Sequence, residues 1–107
     1  MALSQTGLYQ SDSVGASETI GLQAKAATIS SAFYGKDAAG NPIAATIAAD
    51  RKSVTIKVLP GLNPLTVNLI TPDPAEPPAL LYQGTTPLIF VTLDSNAGVG
   101  VIPIIGH

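Results

Sequence analysis

The chain has 107 residues, of which 46% are hydrophobic and only 11% are charged, and its formal net charge is −2. This length predicts a single domain, and the composition excludes a charge-rich disordered chain. The five basic residues are spread along the sequence and form no stripe for nucleic-acid binding, while the lack of cysteine excludes disulfides, thiol nucleophiles and thiolate metal sites.

Residues 1–18 are polar, nearly uncharged and without a hydrophobic period, which predicts an extended N-terminal arm. The arm has no positively charged n-region and no apolar run, so it does not have the form of a classical signal peptide. No apolar run in the chain is long enough for a membrane-spanning helix, so no membrane partner is expected. Residues 19–107 are predicted to form one β-domain.

Residues 19–34 begin with alternating hydrophobic residues and then lose phase, which indicates either two short strands or one strand with a bulge. The turn-forming residues at 35–42 predict a hairpin loop. Residues 43–49 alternate as a strand would, although a short helix capped by Asn41 is the alternative.

Residues 53–59, SVTIKVL, have the clearest strand pattern, and residues 65–70 alternate in the same way after a predicted turn at 60–64. Four prolines in TPDPAEPP, residues 71–78, exclude the interior of a strand or helix. They predict a stiff connector that crosses from one sheet to another.

Short strands are also predicted at 79–82, at 88–93 and at 99–106. The continuous apolar run at 88–93 predicts a buried central strand or one lying under the arm, and Pro103 places the last strand at an edge or a bulge. About seven short strands separated by turns predict an all-β fold, either a small Ig-like β-sandwich or a barrel.

No residue pattern indicates catalysis. His107, the only histidine, is the last residue of the sequence, where no rigid frame would hold it. Nearly all of the carboxylates lie in predicted turns or in the arm, where turn capping accounts for them. Residues 94–98, DSNAG, begin like a calcium loop, but Ile105 stands where that loop needs a glutamate, so a hairpin turn is predicted. The sequence predicts a non-enzymatic protein with no cofactor and no metal site.

The uncharged surface indicates a role in assembly, because a surface with few ions costs little to desolvate and interface cores are depleted in charge. A neutral surface also occurs on some extracellular β-domains, which is the alternative. An arm that adds to a neighbour's sheet edge is a known recognition mode. The predicted interface therefore consists of apolar residues of the arm and of the last strand: Leu3, Leu8, Tyr9, Val101, Ile102, Ile104 and Ile105.

In general build the chain resembles the small decoration or cement proteins on the heads of tailed bacteriophages, which are short, cysteine-free and all-β with an extended N-terminal arm. The resemblance lies in the type of chain rather than in a motif. It implies a structural protein of the virion that clamps capsid subunits, often as a trimer, with itself and a major capsid protein as partners. A rim or tail component fits the same build.

The segment DAAGNPI, residues 37–43, followed by alternating strands, also looks like the hairpins of bacterial Ig-like repeats. That resemblance implies a binding or spacer module that recognises a glycan or a protein at a cell surface. Phe33 and Phe90 are predicted to be core residues, which leaves Tyr34 and Tyr82 as candidates for an exposed ring in the domain. Two tyrosines offer little of the aromatic platform that sugar-binding modules use.

Overall fold

The computed structural model describes residues 9–11 and 14–106, with side chains described from residue 14 to residue 104. Ten strands form two five-stranded sheets, and this part of the chain contains no helix and thus none that could cross a membrane. The predicted all-β fold is confirmed as a small β-sandwich, with ten strands rather than about seven. The strands are β1 (Tyr9–Ser11), β2 (Ser17–Gln23), β3 (Thr28–Tyr34), β4 (Ile43–Ala44), β5 (Thr46–Ile47), β6 (Ser53–Lys57), β7 (Gly61–Ile70), β8 (Ala79–Gln83), β9 (Thr86–Val91) and β10 (Ala97–Gly106).

The two sheets share one hydrophobic core. Sheet A has the strand order β1-β10-β7-β3-β4, and sheet B has the order β5-β6-β2-β8-β9. All neighbouring strands run antiparallel except β1, which runs parallel to β10. Period-2 alternation places one set of side chains between the sheets. The largest fully buried residues include Ile20, Ile56, Leu65, Leu81, Ile89 and Ile102.

Two predicted segments turn out to cross between the sheets. Residues 19–34 form β2 in sheet B and β3 in sheet A, and the predicted strand at 43–49 divides at Ala45 into β4 in sheet A and β5 in sheet B. The backbone N–H of Ala45 donates to Ala32 O at 2.9 Å, and the side chain is buried. The helical alternative for residues 43–49 is therefore wrong, and one short segment links the sheets along one side.

A bulge in β3 determines which aromatic residues are buried. The register against β7 shifts between Ile29 and Ser31, so that Ala32 and Tyr34 face inward and Phe33 faces outward. Phe33 is 39% exposed and Phe90 is 37% exposed, so the prediction that these two rings are core residues is wrong. The bulge inserts one residue and inverts the alternation, which moves Phe33 to the outer face.

The turn predicted at 60–64 is wrong for most of its length, because β7 begins at Gly61. Pro64 lies directly opposite Pro103 of β10, in a pair that exchanges no N–H groups, so neither proline interrupts the ladder. Asn63 is fully buried and satisfied: its Nδ2 donates to the carbonyls of Leu59, Gly61 and Ile104, and its Oδ1 accepts from Leu59 N.

The Pro-rich segment 71–78 connects β7 of sheet A to β8 of sheet B and has neither strand nor helix in it. Its anchor is Glu76, which is buried and whose Oε1 accepts from the backbone N–H groups of Ala26 and Ala27 at 2.7 and 2.5 Å. Thr71 Oγ1 also donates to this oxygen, at 3.3 Å. One carboxylate thus fixes the connector to the loop between β2 and β3.

The strand predicted at 88–93 does not have the position expected for it. Residues 88–93 do not form a central strand, because β9 ends at Val91 and lies at the edge of sheet B. A continuous apolar run does not distinguish a central strand from an edge strand, since an edge strand can also be buried on its inner face.

The turn predicted at 94–98 is confirmed. Asp94 and Ala97 pair, while Ser95 and Asn96 adopt φ values of 51° and 71° that suit a tight hairpin.

Candidate interaction face

The five strands of sheet A contain no charged residue. In sheet B the strands carry two, Glu18 on β2 and Lys57 on β6. All remaining charged residues of the described segments lie in turns and connections. The few charged residues are therefore unevenly distributed, and the strands of sheet A carry none of them.

The outer face of sheet A, which points away from sheet B, exposes large apolar side chains. Strand register brings Phe33, Thr66 and Val101 into one row across β3, β7 and β10, with Ala44 of β4 continuing the row beside Phe33. Leu62 is 61% exposed, Val99 59%, Ile70 50% and Val101 46%. We call this surface the uncharged face, and it is marked by Phe33, Leu62, Thr66, Ile70, Val99 and Val101.

Two shallow depressions lie at one end of the uncharged face. The first, of about 350 Å³, is lined by Phe33, Pro64 and Thr66 together with residues of the loop after β3. The second, of about 330 Å³, is lined by Gly35, Lys36, Leu62 and Pro64. Prolines and hydrophobic residues surround these depressions. Apolar side chains of a partner would fit into such concave surfaces.

The outer face of sheet B is different in chemistry. Thr46, Thr55 and Thr19 form a row across β5, β6 and β2, and the hydroxyls of Thr19 and Thr55 lie 3.2 Å apart in a hydrogen bond. Threonine hydroxyls and the Lys57 ammonium group keep this surface hydrated. The two outer faces of the sandwich thus differ in polarity, although both are built from alternating strands.

A polar depression of about 590 Å³ lies beside sheet B, with Glu18, Asp50, Lys52 and Tyr82 among its lining residues. The Tyr82 ring lies over Gly21 of the neighbouring strand: a Cβ atom at that glycine would come within 2.6 Å of the ring. The ring therefore covers the glycine rather than standing free as a platform for a sugar.

Acidic side chains in the loops serve local turns. Asp37 Oδ1 accepts from the backbone N–H groups of Ala39 and Asn41, as predicted for turn-capping carboxylates. The hydrogen bond from Ala75 N–H to Asp73, together with the Lys25 ammonium group, holds the pKa of that carboxyl below its ordinary value. Among residues 14–104, no three His, Cys, Asp or Glu side chains are grouped to hold a metal ion.

The predicted interface residues are divided by the structure. Val101 lies in the middle of the uncharged face, whereas Ile102 and Ile104 are fully buried between the sheets. Alternation along β10 turns even-numbered residues inward, so these two isoleucines belong to the core and their assignment to an outer interface is corrected. At the junction of β1 and β10 the backbone of Tyr9 pairs with Ile104 and that of Ile105 pairs with Gln10, while Leu3 and Leu8 lie outside the described residues.

Sequence reasoning missed Leu62, Ile70, Phe33 and Val99 as surface residues. The alternation of β10 contained the signal for Val99, since it has the same parity as Val101. Leu62 was assigned to a turn, and the outward direction of Phe33 depends on the bulge opposite β7.

Comparison with known proteins finds no family model, no curated protein and no solved structure that matches this chain.

Proposed function

We propose that the chain is a non-enzymatic structural subunit of a larger protein assembly and that neighbouring subunits cover its uncharged face. The observation that carries the proposal is the surface of apolar and uncharged side chains on β4, β3, β7 and β10, which includes Val99 at 59% and Leu62 at 61% exposure. Contiguous apolar patches on a protein surface mark interaction sites, and the cores of interfaces lack charge.

The size, composition and fold of the chain support a more specific role in such an assembly. A short, cysteine-free, all-β protein with an N-terminal segment ahead of the sandwich resembles decoration proteins of tailed-bacteriophage capsids. We propose this role, with the virion as location and with copies of the chain and a major capsid protein as partners. It predicts that the gene lies beside genes for capsid proteins, which the genome sequence around it checks.

The uncharged face is tested by one lysine on each side of the sandwich. Thr66→Lys places a charge in the row between Phe33 and Val101, whereas Thr55→Lys places the same charge in the threonine row of sheet B. Both positions are half-buried threonines on strands with neighbours on both sides, so the pair is matched. Sedimentation velocity over a range of concentrations measures self-association of both variants and of the unmodified chain.

We expect the unmodified chain to associate with increasing concentration. Thr66→Lys should weaken association by about tenfold or more, because burying an unpaired ammonium group costs more than the about 1.4 kcal/mol that a factor of ten represents. Thr55→Lys should associate like the unmodified chain. A strictly monomeric unmodified chain, or equal association of the two variants, would show that copies of this chain do not meet through this face.

A further inference from the structure

The two ends of the uncharged face differ in shape. At one end the two shallow depressions, of about 350 and 330 Å³, lie around Pro64 near the start of β7. At the other end Ile70, the last residue of β7, is 50% exposed. The outward residues of β7 run from Leu62 through Thr66 to Ile70, so Thr66 lies midway. The face therefore has depressions at one end and a projecting side chain at the other, with Thr66 at its centre.

Polar side chains in the middle of the face already have hydrogen-bond partners in the same sheet. Asn68 Nδ2 donates to Ser31 Oγ at 2.9 Å, and Ser30 Oγ donates to the backbone carbonyl of Asn68 at 3.0 Å. A polar group costs free energy when it is buried without a partner, and these donors keep theirs when the face is covered. An apolar surface can therefore lie against the middle of the face at little cost.

The area of the face limits what can cover it. β7 and β10 have ten residues each, and β3 has seven. At about 3.4 Å per residue and about 4.8 Å per strand, these strands present about 450 Å² in plane, so two such faces together bury about 900 Å². A specific protein interface needs about 1,000 Å² in total. Because projecting side chains add to the flat area, a second copy reaches this value when the two faces overlap along their whole length.

Two-fold symmetry allows two ways for identical faces to overlap completely. With the axis along the strands, β7 runs in the same direction in both copies, and the depressions of one copy lie over those of the other. With the axis across the strands, along the row of Phe33, Thr66 and Val101, the two copies run antiparallel. Each Ile70 then lies over the Leu62 end of the other copy, where the depressions are. Only the antiparallel arrangement places a projecting side chain against a concave surface.

Charged side chains flank the ends of the face. Lys36 lines the second depression, and the Lys25–Asp73 ion pair, at 3.4 Å, lies beyond the end that carries Ile70. Antiparallel packing brings Lys36 of each copy toward the end where the other copy has Asp73, whose side chain is 30% exposed. Charges at the rim of an interface stay hydrated, while the core of the interface lacks them.

We propose that two copies of the chain pack uncharged face against uncharged face, antiparallel about a two-fold axis along the row of Phe33, Thr66 and Val101. Ile70 of each copy occupies the depressions beside Leu62 and Pro64 of the other. This inference rests on the assembly function proposed above and specifies how copies of the chain meet. The dimer is weak and forms at high protein concentration, because its area lies at the lower limit for specific interfaces.

The contribution of Ile70 is tested by shortening its side chain. Ile70→Ala removes the group that enters the depressions and should weaken self-association by about tenfold, equivalent to about 1.4 kcal/mol. Val14→Ala is the matched control, because Val14 is 41% exposed and lies outside the strands, so this variant should associate like the unmodified chain. Sedimentation velocity measures both variants, and equal weakening would overturn the docking of Ile70.

Spin labels test the direction of packing, since the chain has no cysteine of its own. Lys36→Cys carries a label at the rim of the second depression, and Lys57→Cys carries the same label on sheet B as a control. Each labelled chain is mixed at high concentration with an unlabelled, isotope-enriched copy whose amide signals are recorded by NMR. The label at position 36 should weaken the Ile70 signal and spare that of Leu62, about 27 Å away along β7. The label at position 57 should affect neither signal.

The possible results separate this inference from the assembly function. Loss of the Leu62 signal with the Ile70 signal retained would assign the parallel arrangement and overturn the inference, while the assembly function would stand. Equal losses from both labels, in a chain that sediments as a dimer, would show that copies meet through another surface and would also overturn it. A chain that stays monomeric at every concentration would overturn the inference together with the contact between copies proposed above.

Discussion

Glu76 is predicted to contribute more to stability than any exposed carboxylate among residues 14–104. It is 8% exposed, and its Oε1 accepts two backbone N–H groups from the loop between β2 and β3. Glu76→Ala leaves those donors without their acceptor, and one of them belongs to the fully buried Ala27. An unsatisfied buried donor costs about 1–3 kcal/mol, so the free energy of unfolding should fall by about 2–5 kcal/mol.

Glu76→Gln separates the loss of charge from the loss of the acceptor. The amide oxygen can still accept from Ala26 and Ala27, but the bonds are no longer charge-assisted, so a loss of about 1 kcal/mol is expected. Urea unfolding followed by circular dichroism measures both variants. Equal stabilities of the alanine and glutamine variants, within about 0.5 kcal/mol, would refute the view that Oε1 secures the connector to the loop.

Two further predictions concern single side chains. Asn63→Ala removes four hydrogen bonds from a fully buried site and should lower the free energy of unfolding by about 2–4 kcal/mol. The control variant Asn68→Ala, on the outer face of sheet A, should lower it by less than about 1 kcal/mol. Similar losses for the two variants in urea unfolding would contradict this prediction. The pKa of Asp73 is lower in the folded state than its ordinary value of 3.8, so Asp73 stabilises the fold above that pH and loses this effect as pH falls through the lower folded value. An NMR titration of Asp73 should give a midpoint below 3.8 even in the Lys25→Met variant, because the hydrogen bond from Ala75 N–H is the larger cause of the shift. A midpoint of 3.8 in that variant would assign the shift to Lys25 instead.

Local patterns in the sequence were sufficient where the structure depends on local backbone preference. Residues 53–57 and 65–70 alternate as strands because each buries one face, and four prolines exclude regular structure from 71–78. The hairpin at Asp94 follows from turn residues that accept a positive φ. The charge-poor composition also predicted a surface that costs little to cover.

The position of the candidate site depended on contacts between distant residues. Alternation shows which side chains share a face, but not which face turns inward or which sheet a strand joins. Phe33 became a surface residue only through the bulge opposite β7, and Ile102 became a core residue through the register of β10.

By itself the sequence determined the all-β class, the hairpin turn at 94–98 and the low charge of the chain. Tertiary structure decided that the uncharged residues gather on sheet A, because strands from both ends and the middle of the chain pair there. Pairing across long sequence separations is decided by the packing of the whole core, since a one-residue change of register would exchange the buried and exposed faces of a strand.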